Sequence, residues 1–177
     1  SLIRDIDEPM VKINSRMCIN PLCDEEYFVE HIKKISNIDK FNIIHGDNTF
    51  SNTIADENSK IWFIDPRGVF GSTPIYGDRR YDYAKLYYSA YGNYDSINSK
   101  DYRIELDRRN VNLKIKSNGY EEFADLIIKR SGVPKAEIQL IHACIWFALT
   151  GYVKEDYDAV LFAFYKGCQL WTEAVSD

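Results

Sequence analysis

At 177 residues, with 45% hydrophobic and 14% aromatic side chains, the chain has the length of one ordinary domain and enough apolar material for a well-buried core. Its 27 acidic against 22 basic residues give a net charge of -5, the wrong sign for the broad basic footprint of a nucleic-acid binder or for attraction to an anionic membrane. The longest strongly apolar stretch, Ala143 to Leu149, is too short to span a bilayer, and the charged opening from Ser1 to Lys12 is no signal peptide, so the expectation is a cytoplasmic protein with no membrane insertion.

The chain opens on Ser-Leu rather than Met, which suggests a segment of something longer. The four cysteines at 18, 23, 144 and 168 lack paired C-x-x-C spacing and read as reduced, mostly buried thiols. Cys18, Cys23 and His31 offer three metal ligands without an evident fourth, and no metal is assigned to them. Asp24 is a good N-cap for a helix over Glu25 to Ile35, whose Tyr27, Phe28, Ile32 and Ile35 share a face. Phe41 to Ile44 is a short strand-like run ending at His45, and Lys60 to Ile64 another ending at Asp65, with a polar turn at Asp56 to Ser59 between them. An irregular Gly- and Pro-bearing loop follows from Pro66 to Arg80, then a helix from Tyr81 to Tyr91.

Strict alternation in Tyr102, Ile104, Leu106 and in Val111, Leu113, Ile115 predicts a hairpin around Asp107 to Asn110. Equal residue sums put Leu106 opposite Val111, Ile104 opposite Leu113 and Tyr102 opposite Ile115. Tyr120, Phe123, Ala124, Ile127 and Ile128 follow a buried helical stripe that Gly132 stops. Pro134 opens a further helix carrying Ile138, Ile141, Ile145 and Leu149, with Gly151 near its end. A last helix, roughly Asp156 to Ala174, buries Leu161, Phe164, Cys168 and Trp171. The whole reads as a single α+β domain over residues 1–177, mainly helical: about five helices, two short β-hairpins and no large sheet.

The segment that carries chemistry is His45-Gly46-Asp47-Asn48-Thr49-Phe50-Ser51-Asn52, followed after a hairpin by Ile64-Asp65-Pro66. H-x-D-x-x-x-x-N with a later lone Asp is the spacing of a phosphotransferase catalytic loop, in which one Asp faces an acceptor hydroxyl while the Asn and the second Asp hold magnesium. Phosphoryl transfer needs charge neutralised on the phosphates and a nucleophile aligned with the leaving oxygen, and hard oxygen ligands suit magnesium. Asn42 to Leu86 resembles the aminoglycoside phosphotransferase and choline kinase family, with Gly46 marking the small-molecule branch and Gly77-Asp78-Arg79-Arg80-Tyr81-Asp82-Tyr83-Ala84 resembling the acidic motif that follows the metal Asp there. The Ile64-Asp65-Pro66-Arg67-Gly68 run looks most like phosphotransferase domains encoded among bacterial surface-polysaccharide genes.

That resemblance implies the C-terminal lobe of a kinase-like fold and ATP- or GTP- and magnesium-dependent phosphorylation of a small-molecule hydroxyl: a sugar, an amino alcohol or an aminoglycoside. It assigns Asp47 as catalytic base or hydroxyl-orienting group, Asn52 and Asp65 as metal ligands, and His45 and Asp82 as structural supports. Arg67, Arg79 and Arg80 are candidates for an anionic ligand, with exposed loop arginines the commoner use. Tyr87, Tyr88, Tyr91 and Tyr94 suit core packing before ligand stacking. A kinase-like enzyme also needs an N-terminal lobe whose Gly-rich loop and lysine grip the nucleotide. The forty or so residues before His45 contain no glycine and read as a loop followed by a helix, so the missing lobe is an expected partner and the isolated chain is expected to be inactive. Two other readings stay open: a non-catalytic ligand- or partner-binding module, and a metal-dependent hydrolase in which Asp47 activates water.

Overall fold

The computed structural model describes residues 4–38 and 40–176. It is a mixed α+β fold dominated by helices. The chain begins with two strands, β1 (Met10–Ile13) and β2 (Arg16–Ile19), joined by Asn14 and Ser15, both at positive φ (46° and 68°). That is the geometry of a two-residue hairpin turn, so the expectation of a loop before the first helix is corrected here. Helix α1 (Glu25–Ile35) is capped by Asp24, whose carboxylate accepts from the Tyr27 amide at 3.0 Å. Its Phe28 ring lies 5.2 Å from the Trp171 ring, which fixes the helix to the core.

The middle of the chain is built from short pieces: β3 (Asn42–Ile43), a 3-10 turn (Phe50–Asn52), β4 (Thr53–Ala55), β5 (Ile61–Phe63), β6 (Val69–Phe70), β7 (Thr73–Pro74) and β8 (Tyr76–Gly77). β4 pairs with β5, β6 with β7, and β3 with β8, all antiparallel. Helix α2 (Arg79–Ala90) follows, then a single turn α3 (Asp95–Asn98) and the hairpin β9 (Tyr102–Leu106) and β10 (Val111–Ile115). Its pairs are the expected ones, Val111 with Leu106, Leu113 with Ile104 and Ile115 with Tyr102. Helices α4 (Ala124–Ser131), α5 (Lys135–Tyr152) and α6 (Tyr157–Ser176) complete the fold. Gly132 ends α4 in the left-handed conformation at φ 65°, where a side chain would be strained.

The sheets stay small, but the second hairpin does not stand alone. β1 lies parallel to β10, so the two hairpins merge into a four-stranded sheet of order β2-β1-β10-β9. Period-2 patterning explains the join: Val11, Ile13, Val111 and Leu113 all turn inward, and α6 packs against all four strands. Between α2, α5, α6 and this sheet lies the core, whose bulkiest fully enclosed side chains are Trp146, Trp171, Tyr88, Tyr165, Phe162 and Phe164. Cys18 and Cys168 are buried there as free thiols. Among the described residues no helix is long and apolar enough to cross a membrane.

Candidate functional site

Pairing of β3 with β8 carries the chain into His45, and α2 then clamps the loop that follows. The Asp82 carboxylate, in the first turn of α2, accepts from the His45 amide at 2.8 Å and from the Gly46 amide at 2.8 Å. Its own carbonyl accepts from Asn48 Nδ2 at 3.1 Å. Asp82 therefore binds the loop rather than merely facing the helix dipole. His45 Nδ1 accepts from the Asp47 amide at 3.2 Å, which puts the imidazole proton on Nε2, a buried atom with no hydrogen-bond partner. The ring braces the loop. Farther along, Ser89 Oγ accepts from the Phe50 amide at 3.0 Å and the Asp95 carboxylate from the Ser51 amide at 2.9 Å. With successive amides tied to helices, Asp47 is presented on a fixed backbone.

Gly46 is required by that backbone. It adopts φ 77°, and a Cβ there would stand 3.0 Å from Arg67 Cβ, where the returning loop crosses. Asp47 faces two partners: Lys85 Nζ lies 2.8 Å from Oδ1, and Asn52 Nδ2 donates to Oδ2 at 3.0 Å and to the Asp47 carbonyl at 2.8 Å. The Asn52 nitrogen is thereby used, which leaves Oδ1 as the side chain's acceptor atom.

Asp65 arrives from the β4–β5 hairpin, and here an expectation is corrected: apolar flanks around the polar turn at Asp56 to Ser59 predict that Thr53 to Ala55 pairs with Trp62 to Ile64, with Asn52 opposite Asp65. Thr53 pairs with Phe63, and the Ile64 amide donates to the Asn52 carbonyl at 3.0 Å, so Asn52 faces Ile64 and Asp65 falls one residue beyond. The turn is the cause. The Asp56 amide donates to the Lys60 carbonyl at 3.0 Å and the Asp56 carboxylate accepts from the Lys60 amide at 2.9 Å, leaving a three-residue connection closed by Ser59 at φ 61°. Those amide bonds also hold the Asp56 carboxyl below its usual range. Asp65 itself sits at φ 56°, an uncommon conformation that aspartate tolerates and that functional sites often hold.

Asp47 and Asp65 line one cavity of about 430 Å³, with Arg67, Lys85, Tyr81, Tyr88, Tyr94 and Tyr152 among its walls. Burial pushes the phenols of Tyr81, Tyr88 and Tyr94 upward, so these hydroxyls stay protonated and serve as hydrogen-bonding surface rather than bases. Tyr81, Lys85 and Tyr88 share a face of α2 by their i, i+4, i+7 spacing. Sequence reading missed Lys85; its place three residues after Asp82 was the available signal, since both then lie under the same loop. A larger concavity of about 670 Å³ lies elsewhere, beside Lys34, Arg79, Arg80 and Glu137. Arg80 is already held there between Asp78 and Glu137, at 2.7 Å each. Tyr87 is core, as expected of that tyrosine run, and Tyr88 is core and cavity wall together.

Among the described residues no three His, Cys, Asp or Glu side chains converge as a metal site. Cys23 Sγ instead meets the Asn20 carbonyl, and His31 Nδ1 the Tyr27 carbonyl. Asp65 shares a cavity with Asp47, and Asn52 is tied to Asp47 through its amide nitrogen; the carboxylate and amide oxygens of these residues are hard donors. That set is too small to cage a cation, and it fits magnesium, which takes one or two protein ligands and completes its octahedron with substrate phosphate and water. Comparisons with protein-family models, with curated proteins and with solved structures return no match.

Proposed function

We propose that this chain is the catalytic lobe of a kinase-like small-molecule phosphotransferase. The observation that carries the reading is the convergence of Asp47 and Asp65 on one cavity, with the Asn52 amide bonded to Asp47. Asp47 orients the acceptor hydroxyl and takes its proton as that oxygen bonds to the transferred phosphorus and the nucleoside diphosphate leaves. Asn52 and Asp65 would hold magnesium, which would neutralise charge on the phosphates of ATP or GTP. His45 and Asp82 keep the Asp47 backbone in place, a role their hydrogen bonds support.

A nucleotide-gripping lobe, carrying a Gly-rich loop and a lysine, is expected outside these 177 residues. Support comes from the apolar side chains left open on the β3, β4 and β5 segments: Ile43, Ile54, Ile61, Trp62, Phe63 and Ile64 are all more than two-fifths exposed. The test is a phosphate-transfer screen of the complete reading frame, with Mg-ATP and Mg-GTP over sugars, amino alcohols and aminoglycosides. Turnover is expected, and Asp47→Asn should lower kcat by at least about a hundredfold while acceptor binding is retained. Near-normal turnover by Asp47→Asn would remove Asp47 from the mechanism.

A further inference from the structure

Among the described residues, Arg67 is a cation of the cavity that forms no ion pair with a carboxylate. Lys85 is paired with Asp47, whereas among the described residues no carboxylate lies within ion-pair distance of Arg67. Its guanidinium donates instead to two phenol oxygens, Tyr81 Oη at 3.2 Å and Tyr152 Oη at 2.9 Å. Neutral acceptors fix the plane of the group without cancelling its charge, and an arginine has further N–H donors in the same fork. The rest of the residue is fixed too: its amide donates to the His45 carbonyl at 2.9 Å, and its stem crosses against Gly46.

We propose that the cavity takes a small polyhydroxylated compound bearing an oxyanion, phosphate or carboxylate, with Arg67 clamping the oxyanion and a hydroxyl presented to Asp47. This deepens the phosphotransferase reading and rests on it only for the hydroxyl at Asp47. A planar guanidinium matches both oxyanions in a bidentate fork. Cationic acceptors such as aminoglycosides or choline would meet Arg67 and Lys85 while finding Asp47 already paired. Tyr94, stacked at 4.2 Å on the enclosed Tyr88, gives with Ile145 and Leu149 an apolar wall for the C–H face of a sugar ring. At about 430 Å³ the cavity is near the small end of the range for ligand sites, the scale of one ring rather than three.

The test is calorimetric titration of the 177-residue chain, without nucleotide or metal, against glucose 6-phosphate, glucuronate, glucose, kanamycin and inorganic phosphate. At least one of the two anionic sugars should bind at least about tenfold more tightly than glucose or kanamycin, and which one does so identifies the oxyanion. Arg67→Met should weaken that binding about tenfold or more at an unchanged melting temperature, and Arg67→Lys should recover only part of it because the fork is lost. The proposal is overturned if neither anionic sugar binds at millimolar concentration or if glucose or kanamycin binds as well. It is equally overturned if inorganic phosphate binds as tightly as glucose 6-phosphate or if Arg67→Met changes nothing. Anion binding through Arg67 without phosphate transfer by the complete protein would sink the phosphotransferase reading and leave this site standing. Transfer to a neutral or cationic acceptor, indifferent to Arg67→Met, would do the reverse.

Discussion

Asp47 is held from two sides by groups of different character, the Lys85 ammonium at 2.8 Å and the Asn52 amide at 3.0 Å. Lys85 is itself nearly enclosed, its side chain 12% exposed and lying 5.0 Å from the Tyr88 ring centre, so it has little freedom to leave. A group fixed this firmly acts on orientation. On the proposed phosphotransferase reading, Lys85→Met in the complete protein should lower kcat roughly ten- to a hundredfold by letting Asp47 swing, with little change in nucleotide KM. Steady-state kinetics checks this, and an unchanged kcat would make Lys85 a packing residue. The motif spacing singled out His45, Asp47 and Asn52 in the sequence, and the family resemblance implied the roles proposed for them. Lys85 was not legible, since a lysine on a helix reads as a solvated charge until the loop above it is known. The pairing of Asn52 with Asp65 was illegible for a different reason: a side chain–backbone bond at Asp56 shortened the turn and shifted the register by one.

Among the elements, patterned ones were readable and those fixed by turn conformation were not. The β9–β10 hairpin followed from alternation alone, whereas β1–β2 turned on Asn14-Ser15, which lacks the glycine that usually announces such a turn. Helix α5 was read as apolar, yet it carries a fully enclosed histidine. His142 Nε2 accepts from Trp146 Nε1 at 2.9 Å beneath the rings of Tyr87 and Tyr88, and Nδ1 is buried without a partner. Burial, with the Lys166 charge second, drives its pKa well below the ordinary 6.5. The native ring stays neutral while the unfolded one gains a proton. The stability it contributes is therefore complete above about pH 6.5 and declines as pH falls toward the depressed native value, by up to about 1.4 kcal/mol per unit. Denaturant melts at pH 7, 6 and 5 should show that decline, and His142→Gln, which keeps an acceptor for Trp146, should flatten it. Equal slopes for the two proteins would mean that His142 is charged in the native core.

At the scale of the whole molecule, two groups of apolar side chains have different uses. One is the interior between the four-stranded sheet and helices α5 and α6, where Ile13 is 1% exposed. Ile13→Ala there should cost about 2–5 kcal/mol, the usual loss for a large aliphatic side chain cut back in a packed core. The other is the β4–β5 hairpin, where Ile54 and Trp62 face each other across the strands yet stay 50% and 49% exposed. A cross-strand pair so open contributes on the order of 1 kcal/mol or less to this chain's own stability. Ile54→Ser combined with Trp62→Ser should therefore leave the thermal midpoint close to wild type and reduce self-association in light scattering, because the sticky surface is gone. In the complete enzyme the same double variant should raise the KM for nucleotide, since the proposed second lobe and its base-binding face would rest on this hairpin. Melting of the double variant as far below wild type as Ile13→Ala would show that the hairpin belongs to the core, and the surface would then be unavailable to a second lobe.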